Sequence, residues 1–354
     1  MAYKTTDGEK FLFKEKLKQE EVYEFSRENA KDIISIGFDV KKTFMYIDSE
    51  FFTSGYNRHF NLNTTEFEKL ITNNQVRGAF GFHGSTNIGS NAFAAKQCVA
   101  AFASSYPFIW GEDHKTYRRS KKLASIPCLI PCAIDQDPYF RLVRENCNRM
   151  DLPSPKPALI HSKFLTALQG AGGKMSASNA NSAIFMSDTP KQIKNKINTK
   201  AFSGGQETLE LHREKGGNPD IDVPYQYIAY FEDDDEKLKK LADDYRKGVL
   251  LTGEMKKECV DTMTAYTKMF QDARANVTDE ILEEFLRPRK LEWKGNQNPT
   301  KPKLEQPKEA TEGGPMLDAD GKPMTKNAQK KAAKMAEVER KKKEKEAAAA
   351  AAKQ

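Results

Sequence analysis

The sequence lacks any long apolar segment. None of its 354 residues belong to a stretch approaching the 18 apolar residues that a membrane span needs. The first ten residues, MAYKTTDGEK, contain no apolar core of a signal peptide. Mean hydropathy is -0.72, which points to a polar appendage beside the globular body that the 38% hydrophobic and 10% aromatic residues support. These features predict a cytoplasmic protein that does not associate with membranes.

Cysteine and histidine are both scarce, with five of each. The odd number of cysteines gives no paired disulfide framework, which fits a reducing compartment. Cys128 and Cys132 are four residues apart, whereas a zinc site would need Cys-x2-Cys and two further ligands, so buried structural cysteines are favoured. The acidic run 232–236 precedes a helical pattern, where acids suit the helix dipole better than Mg²⁺. No protein-bound metal is predicted.

The net charge of +7 is concentrated at the end of the chain. Residues 326–354 contain ten Lys/Arg and four Glu, so residues 1–325 are almost neutral. Phosphate neutralisation by such a tail would give RNA affinity that depends on salt but not on sequence. The alternative is that the tail is a solvent-exposed run of charged residues that does not bind RNA.

Periodicity divides the chain into an α/β part and an all-α part. Apolar or β-branched runs predict a strand at 43–47, a strand buried on both faces at 126–134 and a short buried strand at 158–161, with 78–82 extended. Residues 19–36 and 65–77 read as helices, and 105–125 as an exposed loop. Asp135 is expected to cap a helix whose first turn contains Pro138. Helical periodicity then recurs at 190–199, 221–231, 235–247, 253–275 and 278–287, with a turn at 203–205.

The segment 172–178, GGKMSAS, is the most informative motif. Its glycines make a flexible hinge, and its one ammonium and two hydroxyls suit the oxygens of a leaving pyrophosphate, on which negative charge develops. By itself, a Lys-Met-Ser-x-Ser pentad is also compatible with an exposed polar loop. Its surroundings favour the chemical interpretation: IPCLIPCAIDQDPYF at 126–140 and ALIHSKFLTALQG at 158–170.

Together these segments resemble the tryptophanyl-tRNA synthetases of the eukaryotic type, a class I family in which the pentad is the second ATP-binding signature. Tyrosyl enzymes are the nearest relatives, but AIDQDPYFR and the Ala in the pentad look tryptophanyl. The resemblance runs from about residue 4 to 290. It implies a Rossmann-like catalytic domain with a connective insertion at 1–185 and a helical anticodon-binding domain at 186–294. Composition predicts a linker at 295–323 and a basic Lys/Ala-rich helix or disordered tail at 324–354.

The resemblance also implies the site. Lys174, Ser176 and Ser178 would be catalytic and, with Lys10 and Met175, would bind ATP, which brings Mg²⁺ with it. Glu9, in a Thr-Asp-Gly-Glu-Lys turn similar to the family's TDDEK, would bind the amino group of tryptophan, and Gln136 and Gln169 would clamp the amino acid. Gly8 departs from the family's second Asp. The alternatives are a solvent-facing charged turn and two exposed glutamines at helix ends.

The family's first signature, His-x-Gly-His, does not occur in this sequence. His83-Gly84 is too far along the chain and has no second histidine. We therefore expect a truncated or wrongly started chain that lacks half of the ATP site and the tyrosine that recognises indole. The leading hypothesis is a cytoplasmic tryptophan–tRNA ligase whose partners are tryptophan and tRNA(Trp), homodimeric through residues 10–125. The alternative is a non-catalytic, synthetase-derived protein that binds tRNA or another partner.

Overall fold

A computed structural model describes residues 1–171, 175 and 179–292. Residues 1–293 form one compact unit. The hinge glycines 172–173, the pentad residues 174 and 176–178, the predicted linker and the predicted tail lie outside the described residues, so the expectations about them stay predictions.

The first part of the chain is mainly helical and contains four short strands. Short 3₁₀ segments lie at Ala103–Ser105, Pro107–Trp110, Ile134–Gln136 and Cys147–Arg149. The other elements are β1 (Ala2–Thr5), α1 (Asp7–Phe13), α2 (Gln19–Ser35), β2 (Phe44–Ile47), α3 (Asp48–Thr53), α4 (Arg58–Leu70), α5 (Asn73–Phe80), α6 (Ile88–Val99), α7 (Lys121–Ala124), β3 (Leu129–Ala133), α8 (Asp137–Asn146) and β4 (Ala158–Ser162).

The four described strands form two parallel pairs. β1 lies beside β2, from Ala2 opposite Phe44 to Thr5 opposite Ile47. β3 lies beside β4, from Leu129 opposite Ala158 to Ala133 opposite Ser162. Helices connect the strands of each pair, as parallel pairing requires. The carboxyl ends of β1 and β2, and those of β3 and β4, are therefore at matching ends of their sheets.

The two sheets differ in burial. Every residue of β2 is buried, whereas the expectation that 126–134 is buried on both faces was wrong. Successive side chains of a strand point to opposite faces. Ile130 and Cys132 pack against the hydrophobic cluster built mainly from α3–α6 and α8, which we call the main core. Leu129, on the other face of the strand, is 58% exposed. β4 was also predicted to be buried but is largely exposed, with Ile160 at 56%.

Several local expectations were wrong in detail. Residues 65–77 belong to two helices, because Thr72 accepts from Gln75 N and caps α5. Residues 78–82 are not extended: α5 continues to Phe80 and stops at Gly81, whose φ of +69° favours glycine. In the predicted loop 105–125, residues 106–109 are buried, because Tyr106, Phe108 and Ile109 enter the main core. The same segment contains α7, which Ser120 caps by accepting from Leu123 N.

The start of α8 was predicted only in part. Pro138 is in its first turn, as expected, but Gln136 rather than Asp135 occupies the N-cap position, and no side chain caps the helix. Asp135 belongs to a 3₁₀ turn at Ile134–Gln136 that precedes the α-helix.

The second part of the chain is all helical within the described residues. Its helices are α9 (Pro190–Lys200), α10 (Leu209–Lys215), α11 (Val223–Phe231), α12 (Asp235–Arg246), α13 (Thr252–Arg274) and α14 (Asp279–Leu286). The five predicted helices are present, and the seven-residue α10 was missed because it is too short to show clear periodicity. Asp234 in the acidic run caps α12 by accepting from Glu236 N and Lys237 N, both at 3.0 Å.

The turn at 203–205 is held by a buried carboxylate. Asp222, fully buried, accepts from Gly204 N at 2.8 Å, Tyr225 N at 2.9 Å and the hydroxyl of Tyr245 at 2.9 Å. It therefore caps α11 and joins it to α12 through one side chain. Such a network is costly to disrupt, since each donor would lose its partner in a buried site.

Hydrophobic packing joins residues on both sides of the predicted boundary at 185/186, and that boundary stays a prediction. One hydrophobic cluster is built mainly from α3–α6 and α8, and another from α9, α11 and α13. A third cluster joins α14 to α2 and β2, because Leu282, Phe285 and Leu286 pack against Ala30 and Met45. The last described helix thus returns to the first part of the chain. In the described part of the chain, no helix is both long and apolar enough to cross a bilayer.

Candidate functional site

Glu9 lies at the carboxyl end of β1, on the first turns of α1. Its Oε2 accepts from the hydroxyl of Thr6 at 3.0 Å, and its Oε1 accepts from the hydroxyl of Tyr139 at 3.1 Å. Tyr139, on α8, is 130 residues away in sequence and is 5% exposed. A carboxylate has about four acceptor positions, so these two bonds leave capacity for a ligand's ammonium. The turn that contains Glu9 is therefore the start of a helix, and the Glu9 carboxylate is hydrogen-bonded within it and to α8.

Gln136 lies beyond the carboxyl end of β3, one turn before Tyr139. Its Oε1 accepts from Nε2 of Gln97 on α6 at 3.1 Å. The Oε1 of Gln97 in turn accepts from Nζ of Lys4 in β1 at 2.8 Å. Three segments that are remote in sequence are thereby joined at the strand ends.

Two buried carboxylates, Asp48 and Asp7, lie near the ends of β1 and β2. Asp48, directly after β2, is 2% exposed, and its Oδ2 is 3.4 Å from Lys4 Nζ. Asp7 is 4% exposed and accepts from Ser49 N at 3.2 Å. Desolvation raises the pKa of Asp48 to about 6; the ammonium of Lys4 opposes this shift and the charge of Asp7 adds to it. A buried carboxyl with such a pKa is typical of functional sites, although structural ion pairs show it too.

These residues form one group, which we call the strand-end cluster: Lys4, Asp7, Glu9, Asp48, Gln97, Gln136 and Tyr139. It lies at the carboxyl ends of β1, β2 and β3, the edge at which open parallel sheets bind ligands. Sequence reasoning identified Glu9 and Gln136 and missed the other five. Tyr139 had a usable signal, since it follows Gln136 by one helical turn in the same motif.

Gln169 is not hydrogen-bonded to the strand-end cluster. It is exposed, and its Nε2 donates to Asn181 O at 2.8 Å. A second bond, from Leu168 N to Ser182 O at 2.9 Å, joins the same two segments. Gln169 thus ties together the chain on either side of residues 172–178.

The structure shows few contacts of the remaining predicted ATP-binding residues. Lys174, Ser176 and Ser178 lie outside the described residues, and Met175 is described and 38% exposed. Lys10 is exposed at the end of α1, with no ion pair to any residue that the structure describes. Its ammonium is therefore available to an anionic ligand.

Other polar features lie outside the cluster. His161 Nε2 is 3.2 Å from Oδ1 of Asp137, which links β4 to the start of α8. The five cysteines are free. Cys128 and Cys132 are half-buried rather than buried as predicted, and the partial burial raises the pKa of Cys128 to about 11. Within residues 1–171 and 179–292, no three His, Cys, Asp or Glu residues are arranged to hold a metal ion.

A cleft of about 410 Å³ next to α14 contains none of the predicted site residues.

Comparison with known proteins decides the family. The model of the class I tRNA synthetases (W and Y) matches residues 4–270. The chain belongs to this family. It is similar to the cytoplasmic tryptophan–tRNA ligase of Schizosaccharomyces pombe, with 51% identity over 289 residues that cover 81% of this chain and 69% of that protein. The cytoplasmic enzyme of Homo sapiens is 46% identical over 288 residues, covering 81% and 58% respectively.

Solved class I synthetases have the same fold. The tryptophanyl-tRNA synthetase from Giardia lamblia aligns with a TM-score of 0.72 at 38% identity, covering 80% of this chain and 72% of that one. The Plasmodium falciparum enzyme gives 0.71 at 38% identity, covering 82% and 72%. The predicted class I fold, Rossmann-like followed by helical, is thereby confirmed. The chain spans less than two-thirds of several curated relatives it matches, including the human enzyme.

Proposed function

We propose that this class I synthetase chain carries the reaction of a cytoplasmic tryptophan–tRNA ligase. In that reaction ATP and tryptophan form tryptophanyl-adenylate and pyrophosphate, and the tryptophanyl group passes to tRNA(Trp). The observation that supports the proposal is the strand-end cluster, in which Tyr139 of α8 donates to Glu9 and Gln136 lies one helical turn before Tyr139. Relatives at 46–51% identity bear the name of this enzyme, which supports the choice of amino acid.

Glu9 binds the ammonium of tryptophan in this proposal. Its two oxygens are already oriented by Thr6 and Tyr139, so the carboxylate is preorganised for a third contact. Gln136 provides a second polar contact from the same edge. Gln169 is also proposed to bind tryptophan, although its amide is bonded to Asn181 in this structure.

The carboxylate of tryptophan then attacks the α-phosphate of ATP in line. The Cα-carboxylate oxygen forms the new bond to phosphorus, and pyrophosphate leaves with the bonding electrons. Lys174, Ser176 and Ser178 are proposed to stabilise the charge on the departing pyrophosphate, with Lys10 and Met175 also contacting ATP. Mg²⁺ would enter on the phosphates of ATP, since it is usually held by phosphates and few protein groups.

Tryptophan binding to residues 1–354 tests the site. By calorimetry or saturation-transfer NMR we expect residues 1–354 to bind L-tryptophan. A preference for L-tryptophan over L-tyrosine is expected only in a chimera that restores the preceding segment, because the resemblance implies that the tyrosine that recognises indole lies there. Glu9→Gln should weaken tryptophan roughly 30-fold, because a charge-assisted hydrogen bond becomes a neutral one. Glu15→Gln, at an exposed acid after the same helix, is the matched control and should change nothing. Equal affinities for E9Q and E15Q would refute the assignment.

Activation requires a separate test. Because the sequence contains no His-x-Gly-His, residues 1–354 should show no tryptophan-dependent ATP–pyrophosphate exchange. A chimera that joins the preceding sequence of the S. pombe relative to residue 4 should exchange, and Lys174→Ala in it should reduce the rate at least 100-fold. Robust exchange by residues 1–354 would refute the first expectation. Normal rates in the Lys174→Ala chimera would refute the role of the pentad.

The missing signature favours one alternative, a non-catalytic protein that binds tRNA or another partner. Tryptophan binding that is absent from residues 1–354, together with an inactive chimera, would support it over the ligase. We also retain two proposals that come from the resemblance: a homodimer through residues 10–125 and an anticodon-binding region at 186–294. Sedimentation analysis of residues 1–354 tests the first, since a monomer at micromolar concentration would contradict it.

A further inference from the structure

A run of uncompensated positive charge precedes β3. Residues 114–122, which we call the basic arm, contain five Lys/Arg and no Asp/Glu, and the next acidic residue along the chain is Asp135. Among the residues that the structure describes, only Arg119 of these five forms an ion pair. The four unpaired cations are all exposed: Lys115, Arg118, Lys121 and Lys122. The basic arm therefore presents a net positive charge on a body that is otherwise almost neutral.

Specific contacts with α4 hold the basic arm in place. The buried His59 donates from Nε2 to Thr116 O at 2.8 Å, and desolvation by burial lowers the pKa of its imidazole. Arg119 donates from Nη1 to Asn63 Oδ1 at 2.9 Å and is paired with the carboxylate of Glu66. Because residues 116 and 119 are used as anchors, the arm is already ordered. A ligand that binds its exposed side chains would lose less entropy in ordering them.

Tyr117 adds an aromatic surface among the cations. Its side chain is 73% exposed, and the guanidinium of Arg58 lies 4.5 Å from its ring centre. Arg58 covers one face of the ring by a cation–π contact and leaves the other face to solvent. Aromatic rings next to cationic side chains are typical of surfaces that bind single-stranded nucleic acids, since every base can stack on a ring.

The basic arm is separate from the strand-end cluster. The arm and α7 precede Leu129, the first residue of β3, so they lie on the side of the amino end of that strand. The strand-end cluster lies at the carboxyl ends of the strands. A strand of five residues spans about 16 Å, so the arm is at the opposite edge of the sheet. A ligand on the arm would leave the strand-end cluster free.

We propose that the basic arm is a surface that binds RNA. Its four unpaired cations contact phosphates, and Tyr117 stacks on an unpaired base. Phosphate contacts and stacking are both tolerant of sequence, so the binding is not specific for one RNA sequence. An acidic protein surface would match the cations but would leave the exposed ring without a partner. Lysine is depleted in the core of protein interfaces, so the arm lies no deeper than the rim of the homodimer proposed through residues 10–125.

Salt dependence of RNA binding tests the charge contacts. The probe is a fluorescein-labelled oligouridine of about 15 nucleotides, and its binding to the full chain is followed by fluorescence anisotropy from about 50 to 300 mM KCl. Each neutralised phosphate of a single strand contributes about 0.7 to the slope of log K against log salt concentration. Lys121→Gln/Lys122→Gln should therefore reduce the slope by about 1.4. Lys41→Gln/Lys42→Gln, at an exposed pair of lysines elsewhere, is the matched control and should leave the slope unchanged.

Tyr117→Ala tests the stacking contact. The affinity for oligouridine at fixed salt should fall about tenfold, and the slope should stay the same because no charge is removed. Phe25→Ala, at an aromatic residue of α2 that is 54% exposed, is the control and should not weaken binding. Circular dichroism checks that each variant is folded.

The outcomes separate RNA from other partners. The tail is present in every variant, so a difference in slope belongs to the basic arm. An unchanged slope in Lys121→Gln/Lys122→Gln would overturn the proposal and favour an acidic protein as the partner. Equal affinities of Tyr117→Ala and the unmodified chain would also overturn it, as would a full chain that does not bind oligouridine at the lowest salt concentration. The assay contains neither tryptophan nor ATP, so its result does not depend on the proposed ligase function.

Discussion

Replacing Asp48 with Asn should change how the stability of the protein depends on pH. Asp48 is 2% exposed, and desolvation raises its pKa to about 6 in the folded chain. An aspartate in the unfolded chain titrates near its ordinary value of about 3.9. Between these values the folded state binds a proton that the unfolded state has released. The contribution of Asp48 therefore favours the folded state in acid and is lost as the pH rises through about 6.

The magnitude follows from the pKa difference. At pH 5, about one unit below the folded pKa, the group should stabilise the folded state by roughly 1.4 kcal/mol relative to pH 7.5. Asp48→Asn removes this titration while keeping the shape of the side chain. Asp48→Asn also removes the ion pair with Lys4 and the desolvated charge itself, so the absolute stability of the variant at neutral pH differs from that of the unmodified chain. The comparison between the two pH values is therefore made within each protein before the proteins are compared.

Urea denaturation at pH 5 and pH 7.5 measures the effect. The free energy of unfolding should fall by about 1.4 kcal/mol more between pH 5 and 7.5 in the unmodified chain than in Asp48→Asn. Asp233→Asn, at an exposed carboxylate, is the control and should follow the unmodified chain. Equal pH dependence in the unmodified chain and Asp48→Asn would refute the reasoning. It would mean that the carboxyl of Asp48 is solvated or is neutralised by Lys4.

Three further predictions concern other parts of the chain. Asp222→Ala should lower the free energy of unfolding by about 3 kcal/mol in urea, because it leaves three buried donors without an acceptor, and Asp222→Asn should cost less. Tyr139→Phe should weaken tryptophan binding about tenfold by calorimetry, whereas the exposed Tyr117→Phe should not; equal affinities would contradict the role of Tyr139. Deleting residues 324–354 should reduce the salt slope of tRNA binding by about one unit for each phosphate that the tail neutralises, and an unchanged slope would rule out the tail.

Local signals predicted most of the helices and three of the four described strands, whereas β1 and the helices α1, α3 and α6 were not predicted. Residues 19–36 and the five later helices have long apolar periodicity, which tertiary packing reinforced. Helix boundaries were predicted wrongly where a single residue determines the end of a short helix. Gly81 was not recognised as the end of α5, and Thr72 was not recognised as the start of that helix. In both cases a helix boundary was set by a single cap rather than by periodicity.

Burial was harder to predict than secondary structure. The run IPCLIPCAI was interpreted as a strand buried on both faces because it is apolar throughout. In the structure only alternate side chains, such as Ile130, reach the core. Composition reports what a strand could bury, whereas the neighbours on each face decide what it does bury.

The sequence by itself determined the family and the fold class, because the motifs that indicate them are short and contiguous. It also identified two members of the strand-end cluster, Glu9 and Gln136, which lie in such motifs. Only the tertiary structure showed that Lys4, Asp48 and Gln97 surround them, since these residues come from separate strands and helices and follow no common motif. Their roles depend on distances of about 3 Å and on the loss of water around Asp48. Neither property is encoded in residue spacing. Both arise when strand ends and helices that are remote in sequence pack against one another.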